Sequence, residues 1–255
     1  MAQSLPAHRP QLSHRAGDYG VDAPYVPIIL GLIGILCTIA GIILTGWLAS
    51  PILSIIALLY GLFFLASTGS YLYVTRRGKF EVWADILTQL NLHGGEQVLD
   101  LGCGRGAVLL MVAKLLPAGK AVGVDLWKTS DQSGNAVSVT EQNAKLEGVA
   151  ERIELHTADM QDLPFADNAF DVLVSNLAIH NIKDAGGRAQ AISEAVRVLK
   201  PDGKLLIADF RSTQEYVQRL RELSMADVTL RPLGWRSWYG GPWASTKLVS
   251  ARKPA

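Results

Sequence analysis

Charged side chains are missing from a long stretch near the start of the chain: residues 23–75 contain no Asp, Glu, Lys or Arg. A run of this length excludes an ordinary water-soluble organisation for this part of the protein. Within it, residues 26–48 and 51–74 would each form a helix of ~35 Å, enough for a hydrocarbon core of ~30 Å. The stretch therefore predicts two transmembrane helices.

The two predicted spans are separated by so few residues that only a tight turn fits between them, which predicts an antiparallel hairpin. A basic cluster follows the second span at 76–79, and Arg9 and Arg15 precede the first. Because basic flanks favour the cytoplasmic side, we expect both termini in the cytoplasm. A cleaved signal peptide is disfavoured, since the apolar run begins far from the start of the chain and a second span follows. We expect a cytoplasmic N-terminal segment, a membrane hairpin and a cytoplasmic domain, at residues 1–25, 26–75 and 80–255.

Cysteine is scarce as well, with only Cys37 and Cys103 in 255 residues, which excludes a disulfide framework. No Cys/His spacing typical of a metal site occurs, and we expect no metal.

Acidic residues slightly outnumber basic ones in residues 80–255, which disfavours nucleic acid as a partner because phosphate binding needs a basic excess. The oligomeric state stays open: the small residues Gly31, Gly34, Ala40, Gly41 and Gly46 suit close helix packing, which the hairpin itself can use.

Apolar runs alternate with helical patterns after the basic cluster. This alternation predicts a parallel sheet with helices on both faces, and it places a ligand at the carboxyl ends of the strands. The predicted strands are residues 97–102, 121–125, 152–157, 170–176 and 204–210, and the predicted helices are 80–92, 106–116, 137–147 and 188–199.

A glycine-rich turn with Gly102, Gly104 and Gly106 follows the first of these strands. Glycine permits a sharp turn and lets a ligand lie against the backbone. Asp125 ends the second strand, where a carboxylate can accept hydrogen bonds from both hydroxyls of a ribose. The spacing is GxGxG rather than GxGxxG, and Asp100 precedes it inside the strand. These residues predict a nucleotide-type site.

Three segments carry a family resemblance: DLGCGRG at 100–106, Asp125, and TADMQDLPF at 157–165. In this order they resemble the cofactor motifs of class I S-adenosyl-L-methionine (SAM) methyltransferases. The runs at 163–182 and 194–210 closely resemble the subgroup that includes the ubiquinone and menaquinone C-methyltransferases and many small-molecule methyltransferases.

The resemblance extends over residues 97–210 and leaves out the hairpin. It implies a Rossmann-like α/β fold with a seven-stranded sheet, mostly parallel with an antiparallel last strand, and SAM as the co-substrate. It assigns the ribose to Asp125 and the adenine to Asp159 and the backbone N–H of Met160. The expected cofactor contacts are, in chain order, Asp100, Gly102, Cys103, Gly104, Gly106, Asp125, Leu126, Asp159, Met160, Ser175 and Asn176.

The segment LWKTSDQSGNA at 126–136 departs from the family pattern, because it is longer than the short turn expected before the next helix. Trp127 within it either stacks on the adenine or packs under the extra loop. His180 follows the strand that ends at Asn176 and is the candidate general base, with a pocket-shaping role as the alternative. Cys103 is not expected to act as a nucleophile.

Aromatic residues are concentrated near the C-terminus, at Trp235, Trp238, Tyr239 and Trp243. The family fold implies strands at 227–231 and 247–250, whose connection holds these residues on the cofactor side of the sheet. Four roles remain open from the sequence: closing over an apolar substrate, caging a quaternary ammonium, lying in the lipid interface, or ordinary packing.

The sequence as a whole predicts a membrane-anchored SAM-dependent methyltransferase that acts on a lipophilic small molecule, quinone-, sterol- or lipid-like. The bilayer and that substrate are the expected partners. Two alternatives remain: a methyltransferase of a peptide or membrane protein, and a non-catalytic SAM-binding protein. A nicotinamide oxidoreductase is disfavoured by the glycine spacing. The acceptor atom, whether C, N or O, is not specified by the residues.

Overall fold

The computed structural model describes residues 12–46 and 50–255. Two long apolar helices follow the N-terminal segment 12–24. Helix α1 is Tyr25–Gly46 and helix α2 is Pro51–Tyr73, and both are long and apolar enough to cross a membrane. The predicted end of the first span at residues 47–48 lies outside the described residues, as does Arg9.

Glycines set the close packing of α1 on α2. A Cβ atom on Gly34 would lie 2.9 Å from Leu65 Cγ, and one on Gly41 would lie 2.7 Å from Leu58 Cγ. As the residue number rises on one helix it falls on the other, so the two helices run antiparallel. These glycines therefore serve the contact within the predicted hairpin.

Helix α2 continues into the following domain without a flexible linker. A π-helical turn, Val74–Gly78, joins it directly to α3, Lys79–Leu90. The apolar face predicted from the sequence is buried in α3, with Phe80 and Trp83 among its largest side chains. Because the connection is helical, the orientation of the hairpin relative to the domain is fixed by the backbone itself.

The domain is built on a seven-stranded sheet in the order β3-β2-β1-β4-β5-β7-β6, in which β7 alone runs antiparallel to its neighbours. The predicted fold class is confirmed. The strands are β1 (Gln97–Leu101), β2 (Lys120–Asp125), β3 (Ile153–Thr157), β4 (Phe170–Asn176), β5 (Leu199–Asp209), β6 (Ala226–Pro232) and β7 (Lys247–Arg252). The remaining helices are α4 (Leu109–Lys114), α5 (Val137–Leu146), α6 (Ala185–Val198) and α7 (Thr213–Glu222).

Two apolar cores cover the two faces of the sheet. Val98 of β1 packs with residues of α3, α4 and α5 on one face. The neighbouring residues Leu99 and Leu101 pack with residues of α6 and α7 on the other. Burial on both faces explains the nearly continuous apolar strands and leaves only the strand ends open to a ligand.

Candidate functional site

A cavity of about 390 Å³ opens where β1 lies between β2 and β4. Residues that directly follow four strands line it: Gly102 and Cys103 after β1, Leu126 after β2, Ala158 after β3, and Leu177 after β4. Both neighbours of β1 are parallel to it and their connections leave in opposite directions, which makes this the usual ligand position in such sheets.

The glycine turn is held in a conformation that side chains resist. Gly102 and Gly104 have φ of +73° and +49°, and a Cβ on Gly102 would collide with Cβ of Ala178. The backbone N–H groups of Gly102 and Cys103 donate to the Val124 carbonyl at 2.8 and 3.1 Å. The turn is therefore fixed to the end of β2 and presents bare backbone to the cavity.

Asp125 joins the glycine turn to the extra loop. Its Oδ2 accepts from the backbone N–H of Gly104 at 2.8 Å, and its Oδ1 accepts from the N–H of Trp127 at 2.6 Å and from Asn135 Nδ2 at 3.2 Å. Asp125 also lines the cavity. A carboxylate has about four lone-pair sites, so capacity remains for a ligand.

Asp100 is buried beneath the turn with one oxygen unused. Its side chain is 2% exposed, it lines the cavity, and Oδ2 has no hydrogen-bond partner among the described residues. Burial, together with the nearby Asp125 carboxylate, raises the pKa of Asp100 to about 8. Such a carboxyl is suited to receive a cationic group from a ligand.

Cys103 lies in the turn as a buried thiol. Burial, followed by the charges of Asp100 and Asp125, raises its pKa well above the usual value. Because the thiolate is the reactive form, the protonated thiol is a poor nucleophile. Its position agrees with the sequence-based expectation that Cys103 does not attack a substrate.

Asp159 and Met160 also line the cavity, together with Gln161. Oδ1 of Asp159 accepts from the Gln161 backbone N–H at 2.9 Å, and Gln161 Nε2 lies 3.2 and 3.1 Å from the two carboxylate oxygens. Gln161 thus orients the carboxylate, a contact that sequence reasoning missed. Leu126 is 44% exposed and also faces the cavity.

Asn176 lines the cavity at the end of β4, and its Oδ1 accepts from Trp83 Nε1 at 2.8 Å. Two other predicted cofactor residues are not among the described residues that line it. Ser175 is fully buried and donates its hydroxyl to the Leu101 carbonyl at 2.8 Å. Gly106 lies under the turn, where a Cβ would approach Leu110 Cγ to 2.9 Å.

His180 lies beside the cavity and is not among the described residues that line it. Its Nδ1 is 2.9 Å from Asp209 Oδ1, without the alignment of a hydrogen bond, and its ring packs edge-on against Phe210 at 4.8 Å between centroids. Asp209 is fully buried and accepts from Tyr216 Oη at 3.1 Å. His180 is thus held beside a buried carboxylate, and both its role as a general base and the pocket-shaping alternative stay predictions.

Trp127 adopts a left-handed backbone conformation, with φ of +56°, at the start of the extra loop. Its indole Nε1 donates to Thr157 Oγ1 at 2.8 Å, and its ring packs against the core. It is not among the described residues that line the cavity. Of the two roles considered for Trp127, packing under the loop is the one the contacts favour.

Asp22 and Lys79 were missed by sequence reasoning, although both line the cavity. Lys79 Nζ lies 2.8 Å from each Asp22 oxygen, and the two side chains are 5% and 17% exposed. Asp22 also accepts from Thr75 Oγ1 at 2.9 Å, Tyr239 Oη at 2.9 Å and Gln132 Nε2 at 3.2 Å. One carboxylate therefore connects four parts of the chain at the cavity.

The length of the extra loop is explained by Gln132. Its Oε1 accepts from the Arg105 backbone N–H at 2.8 Å, and its Nε2 donates to the Tyr19 carbonyl at 3.1 Å. The Arg105 guanidinium donates to the Ser133 carbonyl at 2.7 Å and pairs with Asp18 at 2.8 Å. The loop and the N-terminal segment together cover the outer side of the glycine turn.

A sheet of this order, with a glycine turn after β1 bonded to an acidic residue at the end of β2, is the fold of class I SAM-dependent methyltransferases. A family model described as a methyltransferase domain matches residues 92–238. The chain belongs to this methyltransferase-domain family.

Individual relatives agree with the family. The chain is 34% identical over 122 residues to the ubiquinone/menaquinone biosynthesis C-methyltransferase of Geotalea daltonii, a match covering 48% of each protein. It is 31% identical over 158 residues to the chloroplastic 2-phytyl-1,4-beta-naphthoquinone methyltransferase of Arabidopsis thaliana, covering 61% of this chain and 58% of that protein. The chain thus spans about half the length of these relatives.

Among solved structures, geranyl diphosphate C-methyltransferase from Streptomyces coelicolor A3(2) has the same fold, with a TM-score of 0.54 at 15% identity. The similarity covers 71% of this chain and 82% of that one. That protein was crystallised with Mg²⁺, geranyl diphosphate and S-adenosyl-L-homocysteine.

Proposed function

We propose that this protein is a membrane-anchored, SAM-dependent methyltransferase whose acceptor is a lipophilic small molecule, quinone-, sterol- or lipid-like. The observation that carries the proposal is the position of the cavity. The cavity combines Asp100 and Asp125 with the glycines of the turn, which carry no side chains. Leu177, which lines it, packs in the apolar cluster at the end of α2.

The residues present fit SAM. The unpaired Oδ2 of Asp100 suits the ammonium group of the methionine part, Asp125 suits the ribose hydroxyls, and Asp159 with the Met160 N–H suits the adenine. When bound, SAM supplies a methyl group already activated by its sulfonium. The protein's own task is then to position the acceptor and to exclude water.

Membrane anchoring is supported by the exposure of the two apolar helices. Only 11% and 17% of their apolar windows are buried inside the molecule, whereas the core helix of a soluble protein is mostly buried. Leu36, Ile52 and Leu62 are 65%, 71% and 66% exposed. At roughly 25 cal/mol per Å² of apolar surface, so many exposed side chains strongly favour lipid over water. Arg76 and Arg77 are exposed just after the end of α2, as expected for basic residues on the cytoplasmic side of a membrane span.

A lipophilic acceptor is supported by the cavity wall. Leu177 lines the cavity and also packs in the apolar cluster formed by Tyr71 and Val74 at the end of α2 and by Tyr239. The apolar packing at the end of α2 is therefore continuous with the cavity wall, which supports a site close to the membrane. Two relatives named for quinone substrates and a structural neighbour crystallised with geranyl diphosphate point to the same substrate class.

The raised pKa of Asp100 predicts that SAM binding releases a proton. With a pKa of about 8, most molecules carry the proton on Asp100 at pH 7. A cation placed beside it favours the carboxylate, so binding should release up to about one proton at pH 7 and almost none above about pH 9. Calorimetry in two buffers of different ionisation enthalpy measures this release. It should disappear in Asp100→Asn, and an unchanged release in that variant would contradict the assignment.

Transfer of a labelled methyl group tests the proposed reaction. We would incubate the detergent-solubilised full chain with methyl-labelled SAM and a lipid extract of its source, using Asp125→Ala as the control. Label should enter a small molecule of the organic phase and should fall sharply in the control. Label confined to protein would establish the peptide or membrane-protein alternative instead. Intact SAM binding without any transfer to lipid or protein would establish a non-catalytic SAM-binding protein.

A further inference from the structure

We propose that residues 237–246, which we call the aromatic loop, insert into the cytoplasmic leaflet of the bilayer alongside α2. The inference rests on the proposed anchoring by the hairpin. It adds a third membrane contact, made by the C-terminal part of the catalytic domain.

The path of the polypeptide along α2 is the first observation. As the chain advances from Trp235 to Trp243, its contacts move from the end of α2 towards the middle of the helix. The contacts are the stacked rings of Trp235 and Tyr73 at 5.4 Å, Ser70 Oγ donating to the Trp238 carbonyl at 2.8 Å, the edge-on rings of Tyr239 and Tyr71 at 5.2 Å, and the rings of Trp243 and Phe63 at 5.2 Å.

The depth of the loop follows from these contacts. Phe63 precedes Tyr73 by ten residues, which corresponds to ~15 Å along a helix. A hydrocarbon core is ~30 Å thick. If α2 spans that core, Trp243 lies at the level of Phe63, ~15 Å below Tyr73 and close to the middle of the core, well below Arg76 and Arg77.

The composition of the aromatic loop suits that depth. Residues 237–246 contain no Asp, Glu, Lys or Arg. The charges that flank the loop in sequence are Arg236 and Lys247, and Arg236 is held by α3, where its Nη2 donates to Asp85 at 2.8 Å. Trp243 is 64% exposed and Trp235 is 61% exposed. The exposed Trp235, stacked on Tyr73 at the end of the span, has the position typical of interfacial indole rings, and the exposed Trp243 lies deeper, beside Phe63.

Hydrogen bonding inside the loop removes a main obstacle to insertion. Non-helical backbone at membrane depth must satisfy its polar groups within the protein. The N–H groups of Tyr239, Ala244 and Thr246 donate to the carbonyls of Ala244, Gly241 and Ser237 at 3.0, 3.1 and 3.1 Å. The loop is therefore a closed turn with much of its backbone paired.

Insertion would also hold the active site close to the membrane. Tyr239 Oη donates to Asp22 Oδ2, and Asp22 lines the cavity beside Leu177. A loop held in the leaflet by Trp243 would therefore keep this wall of the cavity close to the bilayer surface, where the reacting group of a lipid-like acceptor lies.

Fluorescence quenching by brominated lipid tests the inference. The full chain would be reconstituted in phosphatidylcholine vesicles brominated at acyl carbons 11 and 12, which lie at the depth expected for Trp243, and the quenchable share of tryptophan emission would be compared among single variants. Trp243→Phe should remove at least about twice as much quenchable emission as the matched control Trp127→Phe, because the Trp127 ring packs against the core of the domain. Equal losses would overturn the inference. SAM affinity of Trp243→Phe should equal that of wild type, which shows that the domain is intact.

A further variant separates this inference from the proposed anchoring. Leu36→Trp places an indole at an exposed position in the middle of α1. New quenchable emission in this variant, with no loss in Trp243→Phe, would overturn the aromatic-loop inference and leave the anchoring standing. If Leu36→Trp adds no quenchable emission, both the aromatic-loop inference and the proposed anchoring are overturned.

Discussion

Replacing Lys79 with methionine should destabilise the protein by about 3–5 kcal/mol, because a buried carboxylate that loses its cation is strongly unfavourable. Lys79 is 5% exposed, and its ammonium group lies 2.8 Å from both oxygens of Asp22. Asp22 would keep the hydroxyls of Thr75 and Tyr239 and the amide of Gln132, which are neutral donors.

Denaturant unfolding of the full chain in detergent measures this effect. Lys183→Met is the matched control, since Lys183 also lines the cavity but is exposed, and it should change the unfolding free energy by no more than about 0.5 kcal/mol. The double variant Lys79→Met with Asp22→Asn should be less destabilised than the sum of the single variants, because no charge is left unpaired. Equal effects of Lys79→Met and Lys183→Met would contradict the role assigned to the pair.

Replacing Asp125 with alanine should weaken SAM binding about 10- to 100-fold, since hydrogen bonds to a charged group contribute ~1.5–3 kcal/mol each. Two losses combine: the acceptor for the ribose hydroxyls, and the bonds that hold the N–H groups of Gly104 and Trp127. Calorimetry with SAM and S-adenosylhomocysteine measures the effect.

Asp131→Ala is the control for this variant. Asp131 lines the same cavity, but its carboxylate accepts from Ser130 Oγ rather than from the glycine turn. It should change SAM affinity by less than about threefold. Unchanged affinity in Asp125→Ala would remove Asp125 from the site, and binding of NAD with no response to SAM would exclude the proposed co-substrate.

Much of the α/β domain was predictable because its signals are local. The buried strands appear as apolar runs such as those at 97–102 and 170–176, and the observed strands agree with them to within one residue. Strand β5 begins at Leu199, five residues before the predicted start, because the chain pairs with β4 before Pro201 and Gly203. Those two residues look like a turn when only the local sequence is considered.

The hydrogen bonds of Asp22 with Gln132 and Tyr239 were not predictable in the same way, because they join distant parts of the chain. Tyr239 and Asp22 are separated by 217 positions, and Gln132 and Asp22 by 110. One signal did exist: Asp22 is the last charge before the uncharged run, and an antiparallel hairpin brings it next to the basic cluster that follows. Reading that geometry would have predicted a pair between Asp22 and one of the residues at 76–79.

The candidate cofactor residues differ in the same way: some positions follow from the local strand pattern, and others depend on contacts with distant parts of the chain. Gly102, Asp125 and Asp159 line the cavity and lie at or within two residues of strand ends, where the fold alone places them. Ser175 is the last but one residue of its strand, and the alternation of a strand turns its side chain into the sheet. The side chain of His180 depends on Asp209 and Phe210 from the next strand, which no local pattern indicates.

Methyl transfer within and between vesicles tests the central claim most directly. The full chain would be reconstituted in phosphatidylcholine vesicles and given labelled SAM, with a lipid extract either in the same vesicles or in a separate population. An anchored enzyme with a bilayer-held acceptor should label lipid in the shared vesicles and only slowly, if at all, in the separate ones. Equal labelling of both populations, or label in protein alone, would contradict the account.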